Sequence, residues 1–394
     1  MKSTKPTKPT KTTKITKPKI IKKENEQLIK FTSDVAIPLL KETAIKAAND
    51  FYENKHNLRE NFLNDIKRIF TATKDFSAQL NDEISYISFA LLRTNLLYSK
   101  LKYDVHIYDE HCFLRDYIKI GDIDTSIFFQ PLEDAKTFLQ AERRKWVGKV
   151  NASHVDNLIS GYLEAFGYLF VKMFRYVLLE ATECSEYNEI PKADNFRIIT
   201  GELWGKANVL HTEAKDRISV KKLHELVSNS HFCQYLDVRN GNYSNMDMTY
   251  ADLRWSDFRG SSLESVDFSN AALDGCVFAG CNLAASNLSG AQLSECNFLN
   301  ADLRWANLSD AVSIEGIYEN EDWNSLCMIP LNLNEADMRE AVIEYAALHG
   351  VDFTRTKLEG AIFTGADLTG CKLKEEQLLQ INLSDKQMSQ VKII

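Results

Sequence analysis

Apolar side chains recur every five residues over the last third of this 394-residue chain. The first run has fourteen such centres, from Tyr243 to Leu308, and the second extends from Leu333 to Leu378. A period of five fits neither an α-helix, with about 3.6 residues per turn, nor a flat strand, with a period of two. A period held this long indicates a repeat architecture, in which each unit packs on its neighbours.

A second column of small residues predicts the shape of each unit. The residue two positions before a centre is usually small, as at Ala251, Ser256 and Cys276. In an extended segment, residues two apart share one face, so the centre and the small residue both point inward. The small residue lets the chain bend close to the axis. Each unit then forms one side of a square coil, and four units complete a turn of about twenty residues.

These units resemble the pentapeptide-repeat family, A(D/N)LXX, as ADLRW shows at Ala251–Trp255 and again at Ala301–Trp305. The resemblance covers about residues 241–380 and implies a right-handed quadrilateral parallel β-helix, a solenoid. Residues twenty apart would then stack at the strand spacing of about 4.8 Å. The predicted interior stack consists of Leu253, Phe258, Leu263, Phe268, Leu273, Phe278, Leu283, Leu288, Leu293, Phe298, Leu303 and Leu308.

Composition and spacing divide the chain into six segments, and the predicted fold class is multidomain α + β. The segments are a disordered Lys/Thr/Pro-rich tail (1–23), a mainly α-helical domain with a small hairpin (24–240), the first part of the β-helix (241–311), an interruption (312–330), the second part (331–380) and a C-terminal cap (381–394).

The interruption has two interpretations. Leu308 and Leu333 are twenty-five residues apart, a multiple of five, so the stretch could be a degenerate coil with Tyr318 and Trp323 among its poor centres. Alternatively it leaves the β-helix as a loop, which its acidic residues favour. Loops on rigid scaffolds often carry binding, and candidate partner-binding residues here are Glu321, Asp322 and Trp323.

Residues 24–240 carry helical patterns around Leu80–Leu91 and Val155–Leu178. Tyr103–Tyr108 and Asp116–Phe129 alternate instead, which suggests a hairpin turning at Gly121–Asp122. His106, His111 and Cys112 lack the spacing of a standard metal site. Because no phosphate loop, GxSxG or HExxH motif occurs, we predict no catalytic residue, no metal and no cofactor.

Charge is distributed unevenly along the chain. Residues 1–23 hold nine lysines and no acid, whereas residues 241–394 hold 23 acidic residues against 10 basic ones. An Asp that directly precedes a centre must point outward.

Trp255 and Trp305, fifty residues apart, should lie on opposite faces, one against the helical domain and one facing a partner. The candidate partner-binding residues are Asp247, Asp252, Asp257, Asp267, Asp302 and Trp305.

The sequence therefore favours a non-enzymatic protein-binding scaffold. The resemblance implies a more specific variant, a DNA mimic whose partner is a type II topoisomerase, either DNA gyrase or topoisomerase IV. The alternative is an effector or enzyme with its activity in residues 24–240 and the repeats as a targeting arm. Its pocket would contain charged residues such as Asp116, Arg143 or His154.

Location and assembly are also predicted. Eight cysteines without metal or redox spacing indicate a reducing, cytoplasmic setting, and the resemblance suggests a bacterial protein. No apolar run reaches membrane-spanning length. The lysine-rich tail has no aromatic residue, so direct sequence-specific binding of nucleic acid is not expected. The segment after Leu378 either caps the coil or forms a dimer.

Overall fold

The computed structural model describes residues 26–394, apart from 81–82, 93–94, 96–97, 110–116, 147, 203–206, 217, 231–232 and 314–328. Two separate hydrophobic cores lie within the described residues. One joins the helices and strands between Phe31 and Leu210, and the other extends along the repeats from Leu223 to Ile381.

Three long helices build much of the N-terminal domain. They are α1 (Ile37–Leu80, preceded by a π-helical turn at Thr32–Ala36), α2 (Ser126–Glu142, followed by a 3-10 turn at Arg143–Lys145) and α3 (Ala152–Glu183). A short helix, α4 (Ser185–Asn188), follows directly. A capping box starts α3, because the Asn151 side chain accepts a bond from the His154 N–H at 2.9 Å and satisfies a donor that the helix leaves free.

These helices pack with a five-stranded mixed sheet of strand order β3-β2-β1-β4-β5. The strands are β1 (Ile84–Leu91), β2 (Lys102–Tyr108), β3 (Ile118–Asp124), β4 (Lys192–Glu202) and β5 (Ala207–Ala214). β1 runs parallel to β4, and the other neighbouring strands are antiparallel. The domain is therefore α + β, with a larger sheet than the single predicted hairpin.

The helical prediction around Leu80–Leu91 is wrong, because β1 occupies Ile84–Leu91 at the centre of the sheet. All but one of its residues are buried, so the strand lacks the alternation of apolar and polar residues by which strands are recognised. The predicted hairpin does form between β2 and β3, but Gly121 pairs with Val105 inside a strand and is not the turn.

The repeats pair with one another at the predicted interval. Parallel bridges join residues twenty apart, from Asp237↔Asp257 to Gln292↔Val312. The Phe258 N–H, for example, donates to the Val277 carbonyl at 2.8 Å. The ladder begins at Asp237, slightly before the predicted start at residue 241. Because the pattern of bridges repeats on all four sides, each coil contains four five-residue units.

The interior of the β-helix is an ordered stack. All twelve predicted interior residues between Leu253 and Leu308 have no solvent exposure. The rings of Phe258, Phe278 and Phe298 lie nearly parallel, with successive centroids 5.0 and 4.8 Å apart. These separations match the spacing of strands, so one ring per coil fills the axis.

The corners of the coil use left-handed backbone at the residue two positions after nearly every centre. Trp255, Ala285 and Trp305 adopt φ values of 65°, 57° and 60° there. This conformation is unfavourable for residues with a Cβ. The next coil stabilises it through backbone hydrogen bonds, such as the 3.0 Å bond from the Trp255 N–H to the Asp274 carbonyl.

The interruption changes the pairing interval from twenty to thirty-five. Asn297 pairs with Asn332, Asp302 with Asp337, and β6 (Val312–Ser313) with β7 (Ala347–Leu348). The pairing therefore skips fifteen residues, 314–328, which lie outside the described part of the chain. The Phe298 N–H still bonds to the Asn332 carbonyl at 2.8 Å, so the ladder is continuous across the junction.

Both ends of the β-helix are covered. Helix α5 (Val220–Ser230) buries Leu223 and Val227 against the first coil. At the other end lie β8 (Lys372–Leu373), a 3-10 turn (Glu375–Leu379), α6 (Asp385–Gln390) and β9 (Lys392–Ile393), which pairs with β8.

Two buried glutamines complete the C-terminal end. Gln377 donates to the carbonyls of Phe353 and Thr356 at 2.7 and 2.8 Å. Gln387 donates to those of Phe363 and Ala366 at 2.6 and 3.0 Å. Each side-chain amide thus satisfies two carbonyl oxygens that would otherwise face the open end of the stack.

Candidate functional site

Five outward aspartates of the β-helix are paired with an arginine two residues later. Asp and Arg flank an inward-pointing centre in D-x-R, so both side chains lie on the outside and meet. Arg254 Nη2 lies 2.7 Å from Asp252, and Arg304 Nη2 lies 2.6 Å from Asp302. The same pairing joins Asp237–Arg239, Asp257–Arg259 and Asp337–Arg339.

This pairing changes the predicted role of three candidate residues. Asp252 and Asp257 are only 8% and 7% exposed, so neither is displayed as a free carboxylate. Asp302 is more accessible, yet the hydrogen bonds from Arg304 lower its pKa. Burial raises the pKa of Asp252, but bonds from Arg254 and Gln234 outweigh it and the net shift is downward. Each of these three carboxylates is paired with its neighbouring arginine, so none of them is a free acidic contact for a partner.

One side of the β-helix has no such Asp–Arg pair, and we call it the acidic face. It comprises residues 247–250, 267–270, 287–290, 307–310, 342–345 and 362–365, which the bridges place on successive coils. The face contains Asp247, Asp267, Asp310 and Glu344, and it has no lysine or arginine. Asp247 and Asp310 are exposed. Two of the predicted candidates, Asp247 and Asp267, therefore lie together on a side whose own segments contain no lysine or arginine.

Short polar contacts hold the acidic face in place. The Asp267 carboxylate accepts bonds from the Ser269 N–H at 2.8 Å and from the Asn287 amide at 3.1 Å. Asn307 in turn donates to Asn287 at 3.4 Å. Asp and Asn thus occupy equivalent positions on successive coils, and the aspartate carboxylates are fixed in position on a rigid surface.

The two tryptophans have different environments. Trp255 packs against the N-terminal domain, where the Arg175 guanidinium lies 3.3 Å from its ring centroid. Trp305 is 56% exposed, with Arg304 at 5.1 Å from its ring. Trp305 therefore remains a candidate partner contact. Glu321, Asp322 and Trp323 lie outside the described residues.

Several ion pairs join the two cores, and the sequence alone did not indicate them. Lys172 Nζ lies 2.5 Å from Glu295 Oε1, and each side chain is 3% exposed. Arg259 contacts Glu183 at 3.4 Å, and Asp237 accepts a bond from the Ala214 N–H at 3.1 Å. The sequence offered one signal of this contact: Lys172 lies inside the most apolar helical stretch, and a buried lysine needs a partner.

Two of the residues named for an enzymatic pocket, Arg143 and His154, make local structural contacts. Arg143 donates to Gln140 at 2.6 Å, and His154 caps α3. His106 is buried, and burial lowers its pKa. Asp116, His111 and Cys112 lie outside the described residues. Within the described ranges, no three His, Cys, Asp or Glu side chains are grouped closely enough to hold a metal ion.

Among the described helices, none combines the length and the apolar character that a membrane crossing requires.

Comparison with known proteins identifies the repeats. The family model described as "Pentapeptide repeats" matches eight copies, at residues 244–275, 261–298, 273–310 and 331–360. No curated protein matches the chain. The N-terminal region has no family match.

Several solved structures match part of this chain. HetL, a pentapeptide repeat protein involved in heterocyst differentiation regulation from the cyanobacterium Nostoc sp. strain PCC 7120, is 19% identical, with 40% of this chain and 84% of that chain covered and a TM-score of 0.19. Full-length QnrB1, a plasmid-mediated fluoroquinolone resistance protein, is 17% identical over 40% and 92% of the two chains, with a TM-score of 0.24. A protein from the Arabidopsis thaliana thylakoid lumen is 22% identical over 38% and 74%, with a TM-score of 0.14.

The match in sequence agrees with the observed five-residue units, and the repeats imply a right-handed β-helix. The repeat region, matched at residues 244–310 and 331–360, therefore consists of pentapeptide repeats.

Proposed function

We propose that this protein is a non-enzymatic scaffold that binds a basic protein surface through its acidic face. The observation that carries the proposal is the segregation of charge. On other sides of the β-helix, arginines neutralise neighbouring aspartates, whereas the acidic face has four acidic residues and no base. A concentration of charge of one sign on a rigid surface attracts a partner of the opposite sign.

The position of this face also supports the proposal. Asp257 lies on the side of the coil that faces the N-terminal domain. Asp267 follows ten residues later, which is half a coil, and so lies on the opposite side. A partner can therefore approach the acidic face without displacing the N-terminal domain. Trp305, on the adjacent side, is placed to add an apolar contact at the edge of such an interface.

The DNA-binding surface of a type II topoisomerase is our specific candidate for the partner. Such a surface is basic and accommodates regularly spaced negative charge. The acidic residues Asp247 and Asp267 are bridge partners on neighbouring coils, so these two charges are separated by about the strand spacing. Support for DNA gyrase or topoisomerase IV rests on the resemblance to the pentapeptide-repeat family, and the charge pattern is compatible with it.

A binding assay with matched charge variants tests this proposal. Asp247→Asn with Asp267→Asn removes two charges and retains the local geometry, because asparagine already occupies the equivalent positions 287 and 307. Glu264→Gln with Glu359→Gln removes two charges from another side. We expect the full-length protein to bind immobilised gyrase or topoisomerase IV at low salt, and the first pair to weaken binding by about tenfold more than the second.

Two results would contradict the proposal. Equal losses in both double variants would show that only the net charge matters. If neither enzyme binds at low salt, and supercoiling by gyrase is unchanged with and without quinolone, topoisomerase is not the partner. Dimerisation stays a prediction, and light scattering on the full chain would measure it.

A further inference from the structure

A small pocket lies within the N-terminal domain, between α3 and one edge of the sheet. Its volume is about 280 Å³. The strands line it where β1 ends at Leu91 and β4 ends at Glu202, and these two strands are parallel neighbours. Because the carboxyl ends of parallel strands meet at the same edge, residues from both converge there. Open sheets often bind ligands at such an edge.

One row of side chains crosses three strands at this edge. Leu91 is the register partner of Glu202. On the other side of β1, Ala90 pairs with Asp104, so Leu91 lies opposite Tyr103 on β2. Tyr103, Leu91 and Glu202 all line the pocket, and the sheet holds them at fixed positions.

One face of α3 forms the other wall of the pocket. Glu164, Gly167, Tyr168 and Val171 are spaced three or four residues apart, which places them on the same side of the helix. Val171 is buried, whereas Glu164 is exposed and so lies at the mouth of the pocket. The two walls together combine apolar side chains with polar groups, the composition that is typical of sites for small molecules.

The charge of the pocket is of one sign. Glu164 and Glu202 come from different walls, and no lysine, arginine or histidine is among the described residues that line the pocket. Lys172 has its ammonium group 5.2 Å from the ring of Tyr168, but Glu295 of the β-helix holds that group at 2.5 Å. The lining therefore favours a cation over an anion.

The Tyr103 hydroxyl is a buried polar group at this pocket. Its ring packs against Phe129 and Phe170, with centroids 5.9 and 4.6 Å apart, and the residue is only 3% exposed. A Cβ on Gly167 would lie 3.2 Å from the hydroxyl oxygen, so the missing side chain leaves the hydroxyl room beside the pocket.

This hydroxyl forms no hydrogen bond with the described part of the chain. Burial, together with the charge of Glu202, raises the pKa of Tyr103, so the phenol stays protonated and can both donate and accept. A buried hydroxyl without a partner is costly, and a polar ligand in the pocket would supply one.

We propose that this pocket binds a small organic cation, which carries an ammonium group on a short hydrocarbon chain. The ammonium group donates to the Tyr103 hydroxyl and is attracted by the carboxylates of Glu164 and Glu202. The hydrocarbon chain contacts Leu91 and Val171. The volume lies at the lower end of the range of roughly 300–1,000 Å³ for ligand sites, which favours a small molecule. The site is distinct from the acidic face of the β-helix.

Calorimetry on the full-length protein tests the site with 1,4-diaminobutane as the probe. The uncharged 1,4-butanediol has the same length and serves as the matched control, and sodium chloride keeps the ionic strength equal. We expect the diamine to bind at one site with a Kd below about 1 mM and to raise the Tm. The diol should bind at least about tenfold more weakly, because it lacks the charge.

Tyr103→Phe removes only the hydroxyl group. We expect the affinity for the diamine to fall about tenfold, while the Tm without ligand stays unchanged or rises, because the variant loses a buried polar group that has no partner. A purely structural role would give the opposite result, a lower Tm with unchanged affinity.

Two glycines of α3 provide a matched pair of variants. Gly167→Ala places a methyl group 3.2 Å from the Tyr103 hydroxyl, whereas a Cβ on Gly161 meets no atom within 4 Å. Both changes have the same effect on helix propensity. Gly167→Ala should weaken diamine binding about tenfold, and Gly161→Ala should leave it within about twofold.

A second matched pair tests the charge. Glu202→Gln removes a carboxylate from the pocket, and Glu264→Gln removes an exposed one from the β-helix. Only the first should weaken diamine binding, by about tenfold.

Four outcomes would overturn the inference: no binding of the diamine, equal binding of the diol, unchanged affinity in Tyr103→Phe, or equal losses within either matched pair. Magnesium chloride is the competing ligand. If magnesium binds through Glu202 and the diamine does not, the pocket holds an inorganic cation instead. Binding at the acidic face is measured with different variants, so failure here leaves that proposal unaffected.

Discussion

The two cores of this protein are assembled in different ways. In the N-terminal domain, Phe62 of α1 meets Phe128 of α2 and Phe170 of α3 edge-on, so the core joins residues far apart in the chain. In the β-helix, Phe278 lies flat between Phe258 and Phe298, each twenty residues away. The first core depends on one tertiary arrangement, whereas the second repeats a single local contact. The loss of one core side chain should therefore disturb only neighbouring coils in the β-helix. In the N-terminal domain the same loss should disturb packing throughout the core.

The largest expected effect comes from removing one ring from each core. Phe278→Ala should lower the free energy of unfolding by about 3–5 kcal/mol, because rings on both sides are fixed and the cavity cannot collapse. Phe170→Ala should cost a similar amount in the other core. Urea unfolding followed by circular dichroism and tryptophan fluorescence measures both. If the cores are independent, each variant shifts a different transition.

Leu379→Ala serves as the control, because this leucine is 90% exposed and its loss should change stability by less than about 0.5 kcal/mol. A loss below about 1 kcal/mol for Phe278→Ala would contradict the comparison, since the stacked rings would then contribute little to the β-helix.

The next effect concerns the connection between the two cores. Lys172→Met should cost about 3 kcal/mol, because it removes the cation that faces the buried Glu295 carboxyl group. Adding Glu295→Met should restore most of that loss, since two apolar side chains of similar volume replace the pair. A double-mutant cycle by chemical denaturation measures the coupling. Additive losses in the double variant would mean that the pair does not couple the domains.

The smallest effect concerns the Asp–Arg pairs on the outside of the β-helix. Arg304 holds the pKa of Asp302 below its ordinary value, so the pair stabilises the fold above the unfolded pKa of about 4. This contribution disappears as the pH falls through the folded pKa. Arg304→Gln should lower stability only slightly at pH 7, because the arginine is partly exposed, and should have almost no effect in acid. Denaturation at both pH values, with NMR titration of Asp302, measures this; an unchanged pKa would refute it.

The difference between the cores also explains what the sequence could predict. The centres from Leu253 to Leu308 could be placed because a short period determines both the spacing and the inward direction. The neutralised aspartates had a sequence signal as well, since Asp and Arg in D-x-R flank a centre and must share the outer side. The acidic face could be predicted in the same way, because Asp247 and Asp267 are not followed by an arginine two residues later.

Other features depend on contacts that no local pattern encodes. Lys172 and Glu295 are 123 residues apart, and only the docking of the two domains brings them together. β1 is buried on nearly all its length, so its apolar run gives no information on whether it is a strand or a helix. A cleft lies between the two domains, and the sequence of neither domain indicates how they dock.

The glutamines at the C-terminal end have a consequence for the solution behaviour of the protein. A β-helix is a template: the last coil presents acceptors in the pattern that another chain would need to add a further coil. Gln377 and Gln387 occupy four of these acceptors with their own amides. Removing them would leave an edge open to end-to-end growth. These two side chains thus define the length of the rod and protect it against polymerisation into fibres.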